Sequence, residues 1–287
     1  MTHDVGPGAY GATLTSDGSA WTTLVEEGQV VRVDPQGNVT RLPIDAEQPR
    51  PMVMITDGDD SVRFSRGDGY IGRVDADGTM TSLPVETITG APYGLCVGAD
   101  QSLWYTLITA DRIGRITAEG EITEYPVAEG SFPSLLTTGP DGAVWFTLNK
   151  ADTVGRITPD GEISTFPLPT PDAGPVGISG GPDGVWFAEI GAGQIGRISV
   201  TGDIEEFPLP DRASRPHAVA ATDDGGCWAT LWASHSAVRL DRSGRLIDEV
   251  VFAEGAEPHG IALGADGSLW VALQSGQLAE VTDLRQP

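Results

Sequence analysis

Two of the chain's four histidines stand in near-identical settings, Arg215-Pro216-His217-Ala218 and Glu257-Pro258-His259-Gly260. Imidazole titrates near neutrality, so a histidine in a cleft can act as a general base, a general acid or a metal ligand. Glu257, two residues before His259, carries a carboxylate suited to a hard cation such as Mg²⁺, which takes oxygen ligands and keeps several waters. The same carboxylate could equally solvate an acidic rim. The other two histidines, His3 in the N-terminal tail and His235 in a turn, are expected to be solvated.

The elements that position these residues follow from an internal repeat. Tryptophans stand at 21, 104, 145, 186, 228 and 270, and Arg63 fills the one double gap. The spacings are then 42, 41, 41, 41, 42 and 42 residues, so seven units account for all 287 residues. Each unit has a proline-containing entry, a short apolar run, a Gly/Asp turn, the tryptophan run and two further alternating runs. Asp-Gly turns between period-two runs mark hairpins. No helical period is sustained. Four short strands about every 41 residues predict an all-β fold, a seven-bladed β-propeller forming one domain over 1–287. The phase of the repeat leaves three strands for blade seven, ending near Val281, with only Met1 to Val5 ahead of blade one. An open edge there is expected, with its hazard of edge-to-edge pairing.

Equivalent positions of a propeller form rings. The slot after the entry proline holds Tyr10, Met52, Tyr93, Ser134, Val176, His217 and His259. As the start of each first strand, it is expected to converge on one mouth of the central channel. The two histidines thus fall in adjacent members of one ring. The slot three residues after the tryptophan holds Leu24, Arg66, Leu107, Leu148, Glu189, Leu231 and Leu273, which predicts a largely apolar channel wall. The tryptophans and the repeated arginines (Arg32, Arg73, Arg115, Arg156, Arg197, Arg239) read as structural: rings filling space, and guanidinium groups paired with acidic neighbours or carbonyls.

Charge narrows the function classes. The formal charge is −24, from 41 acidic against 17 basic residues, which repels nucleic-acid phosphates and anionic membranes. No apolar stretch approaches the roughly 18 residues of a membrane span. The N-terminus has neither a basic region nor an apolar core of the signal-peptide kind. Two cysteines make no disulfide framework. A cytoplasmic monomer acting on a small molecule is expected.

The motifs Trp145-Phe146-Thr147, Ile113-Gly114-Arg115-Ile116-Thr117 and Glu124-Tyr125-Pro126, with the two Pro-His motifs, resemble the virginiamycin B lyase (streptogramin B lyase) family across all seven blades. The resemblance implies a Mg²⁺-dependent lyase that linearises type B streptogramins, cyclic depsipeptide antibiotics, by elimination at the ester of a threonine side chain. On that resemblance His259 is the general base or acid, His217 and Tyr10 contact substrate, and Glu257 is a magnesium ligand. The family's second metal-binding glutamate, four residues after the blade-seven tryptophan, is Gln274 here. Its amide oxygen can still face Mg²⁺, with one negative charge fewer. The family also tends to carry glutamates where this chain has its leucine slot. Two other classes stay open: a metal-dependent lactonase of the gluconolactonase type, or a binding propeller without catalysis.

Overall fold

The computed structural model describes residues 1–85 and 90–282. It contains seven four-stranded antiparallel sheets, the blades of a seven-bladed β-propeller. Blades one to six run Ala9–Pro43, Pro51–Pro84, Pro92–Pro126, Pro133–Pro167, Pro175–Pro208 and Pro216–Val251, each built from four consecutive strands. Blades one, two and seven with Ala91–Tyr93 gather into one compact unit, and the rest of blade three with blades four to six into another.

Blade seven corrects the expectation of an open edge. Its three C-terminal strands, Pro258–Leu263, Leu269–Leu273 and Gln277–Val281, are joined by Thr2–Asp4 as the fourth. The register pairs Thr2 with Ala279, His3 with Leu278 and Asp4 with Gln277. Three residues suffice because His3 adds more than a strand partner. Its ring lies buried and stacked on Trp270, centroids 5.6 Å apart and planes 15° apart, with Glu280 3.9 Å from Nε2. His3 is therefore not a solvated tail residue. Val5, fully buried, then joins the apolar core that blades one and seven share around Leu24, Val31, Trp270 and Leu278.

Four of the tryptophans lie under the repeated arginines, as the repeat implies. Arg32, Arg115, Arg156 and Arg197 lie over Trp21, Trp104, Trp145 and Trp186, 5.2–5.8 Å from the ring centres, a cation–π distance. The same arginines reach carboxylates: Arg32 to Asp17 at 2.6 Å, Arg156 to Asp141 at 2.7 Å, and Arg115 to Asp100. Those aspartates also accept the backbone N–H two residues on, for instance Ser19 N at 2.9 Å, which closes the turn before the tryptophan strand. Hydrogen bonds from Thr15, Ser19 and the Ser19 N–H, together with the charge of Arg32, outweigh partial burial and hold Asp17 down at about 2.

The leucine slot differs from its expected role. Leu24, Leu107, Leu148, Leu231 and Leu273 are buried, and Leu24, Leu148 and Leu231 sit inside apolar core clusters instead of forming an open wall. The reason is the strand's period: the tryptophan strand is buried on both faces, so this slot is sealed by neighbouring strands.

Candidate active site

One local device recurs at the start of six blades. In blades one, two, four, five, six and seven the register between the first two strands slips by one residue just after the entry position. In blade seven Pro258 pairs with Leu273 and the next pair is Ile261 with Val271, so His259 and Gly260 lie in the bulge. A bulge bends its strand and re-aims a side chain. It releases the slot residue from the alternation that would bury it in its own sheet. Tyr10 lies in the corresponding bulge of blade one, between Ala9 and Ala12.

The residue before the entry position is left-handed in the same six blades: Gly8, Arg50, Phe132, Gly174, Arg215 and Glu257 all have positive φ. Glu257 takes φ 50° although it has a side chain and precedes a proline, a costly conformation held by its surroundings. The Gln274 N–H donates to the Glu257 carbonyl at 3.2 Å, the Ser275 N–H to Ala256 at 3.3 Å, and the Gly8 N–H to the Gln274 carbonyl at 2.9 Å. These bonds tie the entry of blade seven, its second hairpin and the entry of blade one together. Gly260 completes the assembly. A Cβ there would lie 2.4 Å from the Tyr10 carbonyl oxygen, so only glycine lets the first strand of blade one approach this closely.

The side chains meet as follows. His259 is 9% exposed, and its Nε2 lies 2.7 Å from the amide oxygen of Gln274, an exposed side chain. The Tyr10 ring packs against the imidazole at 4.7 Å between centroids, tilted 33°. The Tyr10 hydroxyl hydrogen-bonds the Tyr93 hydroxyl. Burial lowers the His259 pKa below the ordinary histidine value, opposed by the Gln274 hydrogen bond and the Glu257 charge. The imidazole is thus neutral at neutral pH, the state a base requires. Burial, then the proximity of Tyr93, raises Tyr10 well above an ordinary phenol, so it stays a neutral hydrogen-bond donor.

Of the residues read from the sequence, Tyr10, Glu257, His259 and Gln274 come together in one compact unit. His217 belongs to the other unit, half-buried in the bulge that opens blade six. Beside it in sequence, Arg215 stacks its guanidinium over Trp232 at 5.6 Å. Tyr93 was in the sequence's entry slot but not singled out, and only its contact with Tyr10 draws it into the site.

A magnesium ion at this entry would draw one carboxylate from Glu257 and the amide oxygen of Gln274, which here faces His259 Nε2 at 2.7 Å, with waters and substrate oxygens completing its shell. Among the described residues no three His, Cys, Asp or Glu side chains gather into a cage. No helix among them is long and apolar enough to cross a membrane.

The propeller thus sets a buried histidine against a tyrosine ring, one residue after the entry proline and two after an acidic residue. The chain matches the profile of the virginiamycin B lyase family over residues 2–281 and belongs to that family. It is similar to a solved streptogramin B lyase, with 34% identity, 98% of each chain covered and a TM-score of 0.91. A catalytically inactive histidine-to-alanine variant of Staphylococcus aureus virginiamycin B lyase, solved with quinupristin, aligns at 32% identity over 98% of each chain with a TM-score of 0.90. The Nocardia farcinica virginiamycin B lyase is 41% identical over 133 residues, 46% of this chain and 45% of that protein. The chain thus spans under half the length of the curated relatives it matches.

Proposed function

We propose that this protein inactivates type B streptogramins by opening their ring through elimination at the threonine ester. The observation that carries the reading is the buried, neutral His259 packed against Tyr10 at the entry of blade seven, in a member of the virginiamycin B lyase family. The Staphylococcus aureus relative solved with quinupristin, inactive once a histidine becomes alanine, supports it.

The chemistry is a β-elimination. His259 takes the threonine α-proton, the electron pair forms the Cα=Cβ double bond, and the Cβ–O bond breaks as the carboxylate leaves. Atoms balance without water, so the product is an isomer of the substrate. Nε2 is the nitrogen substrate reaches, since it faces exposed Gln274 whereas Nδ1 is buried. Gln274 can offer its oxygen to a protonated Nε2 or its N–H to a bare one, so it accompanies the ring before and after transfer. Tyr10, a neutral phenol, donates to a substrate oxygen where charge develops. A threonine α-proton is too weakly acidic for imidazole alone; Mg²⁺ held by Glu257 would supply Lewis-acid polarisation of the adjacent carbonyl. His217 is assigned to substrate contact.

The same reading takes the protein as a cytoplasmic monomer. Cys96 and Cys227 are buried free thiols, in keeping with a reducing compartment. Elution at the mass of one chain is the check.

The test is incubation with a type B streptogramin in Mg²⁺ and again in EDTA, followed by chromatography. A ring-opened product that disappears in EDTA is expected. An intact antibiotic in Mg²⁺ would sink the substrate assignment, and an EDTA-insensitive product would sink the metal.

A further inference from the structure

Between blades four and five the chain runs Leu168-Pro169-Thr170-Pro171-Asp172-Ala173, and its two prolines leave few backbone donors. Leu168 and Ala173 are buried in the apolar core that blades four and five share, which fixes the ends of this connection. Between them only Thr170 and Asp172 carry an N–H, and each gives it to a carboxylate. The Thr170 N–H donates to Glu206 at 3.1 Å, and the Thr170 hydroxyl to the other oxygen of Glu206 at 2.7 Å. The Asp172 and Gly174 N–H groups both donate to Asp152, at 2.8 and 2.9 Å.

The same hydroxyl leads inward to Glu189. One N–H of the Gln194 amide donates to Thr170 Oγ1 at 3.1 Å and the other to Glu189 Oε2 at 2.7 Å. Gln194 is 2% exposed and Glu189 0%, so the series Glu189–Gln194–Thr170–Glu206 joins a sealed carboxyl to a half-buried one on the outer strand of blade five. Glu189 Oε1 has no hydrogen-bond partner, an arrangement that suits a neutral carboxyl and not a charged one. Burial above all, then the charges of Glu206 and Asp152, pushes this group up to about 7, against the Gln194 hydrogen bond and the charge of Arg212.

The two carboxylates that hold the connection are therefore the two that a charge on Glu189 repels. An ionised carboxyl that lacks donors is relieved most cheaply by water, and residues 169–172 are the part of its surroundings that no strand pairing holds. We propose that Glu189 is a proton-operated latch for residues 169–172: the connection stays tied to blade five while the carboxyl is protonated, and opens to water when the proton leaves for solvent. The device lies within blades four and five and is independent of the reaction proposed at blade seven.

Thr170 stands between two prolines, so its amide is an isolated reporter of the connection. With the connection open Glu189 ionises at the ordinary 4.5, and with it closed at about 7, so between these values opening releases one proton. Protection of the Thr170 amide, corrected for intrinsic exchange, should stay level below pH 4.5, fall about tenfold per pH unit up to about 7, and level off above it. In Glu189→Gln it should be flat, and in the parent it should not depend on dilute urea, as befits a local opening. Level protection in the parent, an equal fall in Glu189→Gln, or a fall that deepens with urea in step with core amides would each overturn the latch. Should Glu189→Gln not fold, the parent carries the test alone: the Glu189 carboxyl carbon-13 resonance and the Thr170 amide resonance should move with one midpoint. A carboxyl that titrates while Thr170 stays still overturns the proposal.

Discussion

Blades five and seven each bury one titratable side chain beside the proline that opens the blade, and the two outcomes differ. In blade seven the residue is His259, one position after Pro258; in blade five it is Glu189, paired across the sheet with Pro175. Burial acts on both in the same sense, towards the neutral form: it lowers the histidine and raises the glutamate to about 7. What separates them is access. His259 lies in a bulge with its Nε2 against an exposed amide, whereas Glu189 is 0% exposed, with one carboxylate oxygen held by Gln194 at 2.7 Å. Its other oxygen has no hydrogen-bond partner. A desolvated group becomes a candidate catalyst only where the fold also leaves it a route to substrate.

The comparison breaks most sharply at the histidine. His259→Ala should lower the rate of streptogramin ring opening by about a thousandfold, within the range for a lost general base, while the thermal transition stays cooperative. Equal activity in that variant would put the chemistry elsewhere.

Next comes the closure of blade seven. Deleting residues 1–4 removes three paired positions and the His3–Trp270 stack, and bares a strand edge. The expected cost is about 3 kcal/mol in denaturant unfolding, with concentration-dependent aggregation. An unchanged midpoint would show that the terminal strand closes nothing.

Glu189 predicts a pH effect of the opposite kind to catalysis. Its folded pKa of about 7 exceeds the ordinary 4.5, so the folded state holds a proton that the unfolded state has lost between those values. Stability contributed by this group is therefore complete below pH 4.5 and lost as pH rises towards 7. Glu206 and Asp152 reinforce the shift, and Arg212 with the Gln194 hydrogen bond oppose it. Glu189→Gln should be more stable than the parent by about 2 kcal/mol near pH 8 and nearly equal to it near pH 4.5, with streptogramin turnover unaffected. Parallel stability-against-pH curves for the two proteins would remove the distinction between the blades.

The smallest effect is expected at Gln274. Gln274→Glu restores a full negative charge beside Glu257 and should tighten Mg²⁺ binding by about tenfold, read by calorimetry with the metal alone. Unchanged magnesium affinity would mean that this side chain serves His259 only.

The fold was largely legible in the sequence because the blades repeat a few physical units: an Asp turn, in four blades a tryptophan under an arginine, and in blades two to five a glycine where an aromatic ring leaves no room for Cβ. His217 and His259 stand out because they break a ring that the repeat defines, and Glu257 because it lies two residues before His259, whereas Tyr10 and Gln274 are drawn to the site only by the family resemblance. Three things were not legible. Thr2–Asp4 is too short to show a period, and His3 gives no sign in sequence that it will stack on Trp270. The leucine slot looked like a wall because period-two alternation cannot tell a channel face from a face sealed by a neighbouring strand. The contact between Tyr10 and Tyr93 escaped because the bulges re-aim side chains, and a one-residue slip leaves no compositional mark.

Elimination consumes no water, so running the reaction in ¹⁸O-enriched water and weighing the product decides the chemistry. A ring-opened molecule of the same mass as the antibiotic, carrying no label, is expected. A product heavier by one labelled water would contradict it and make the protein a hydrolase.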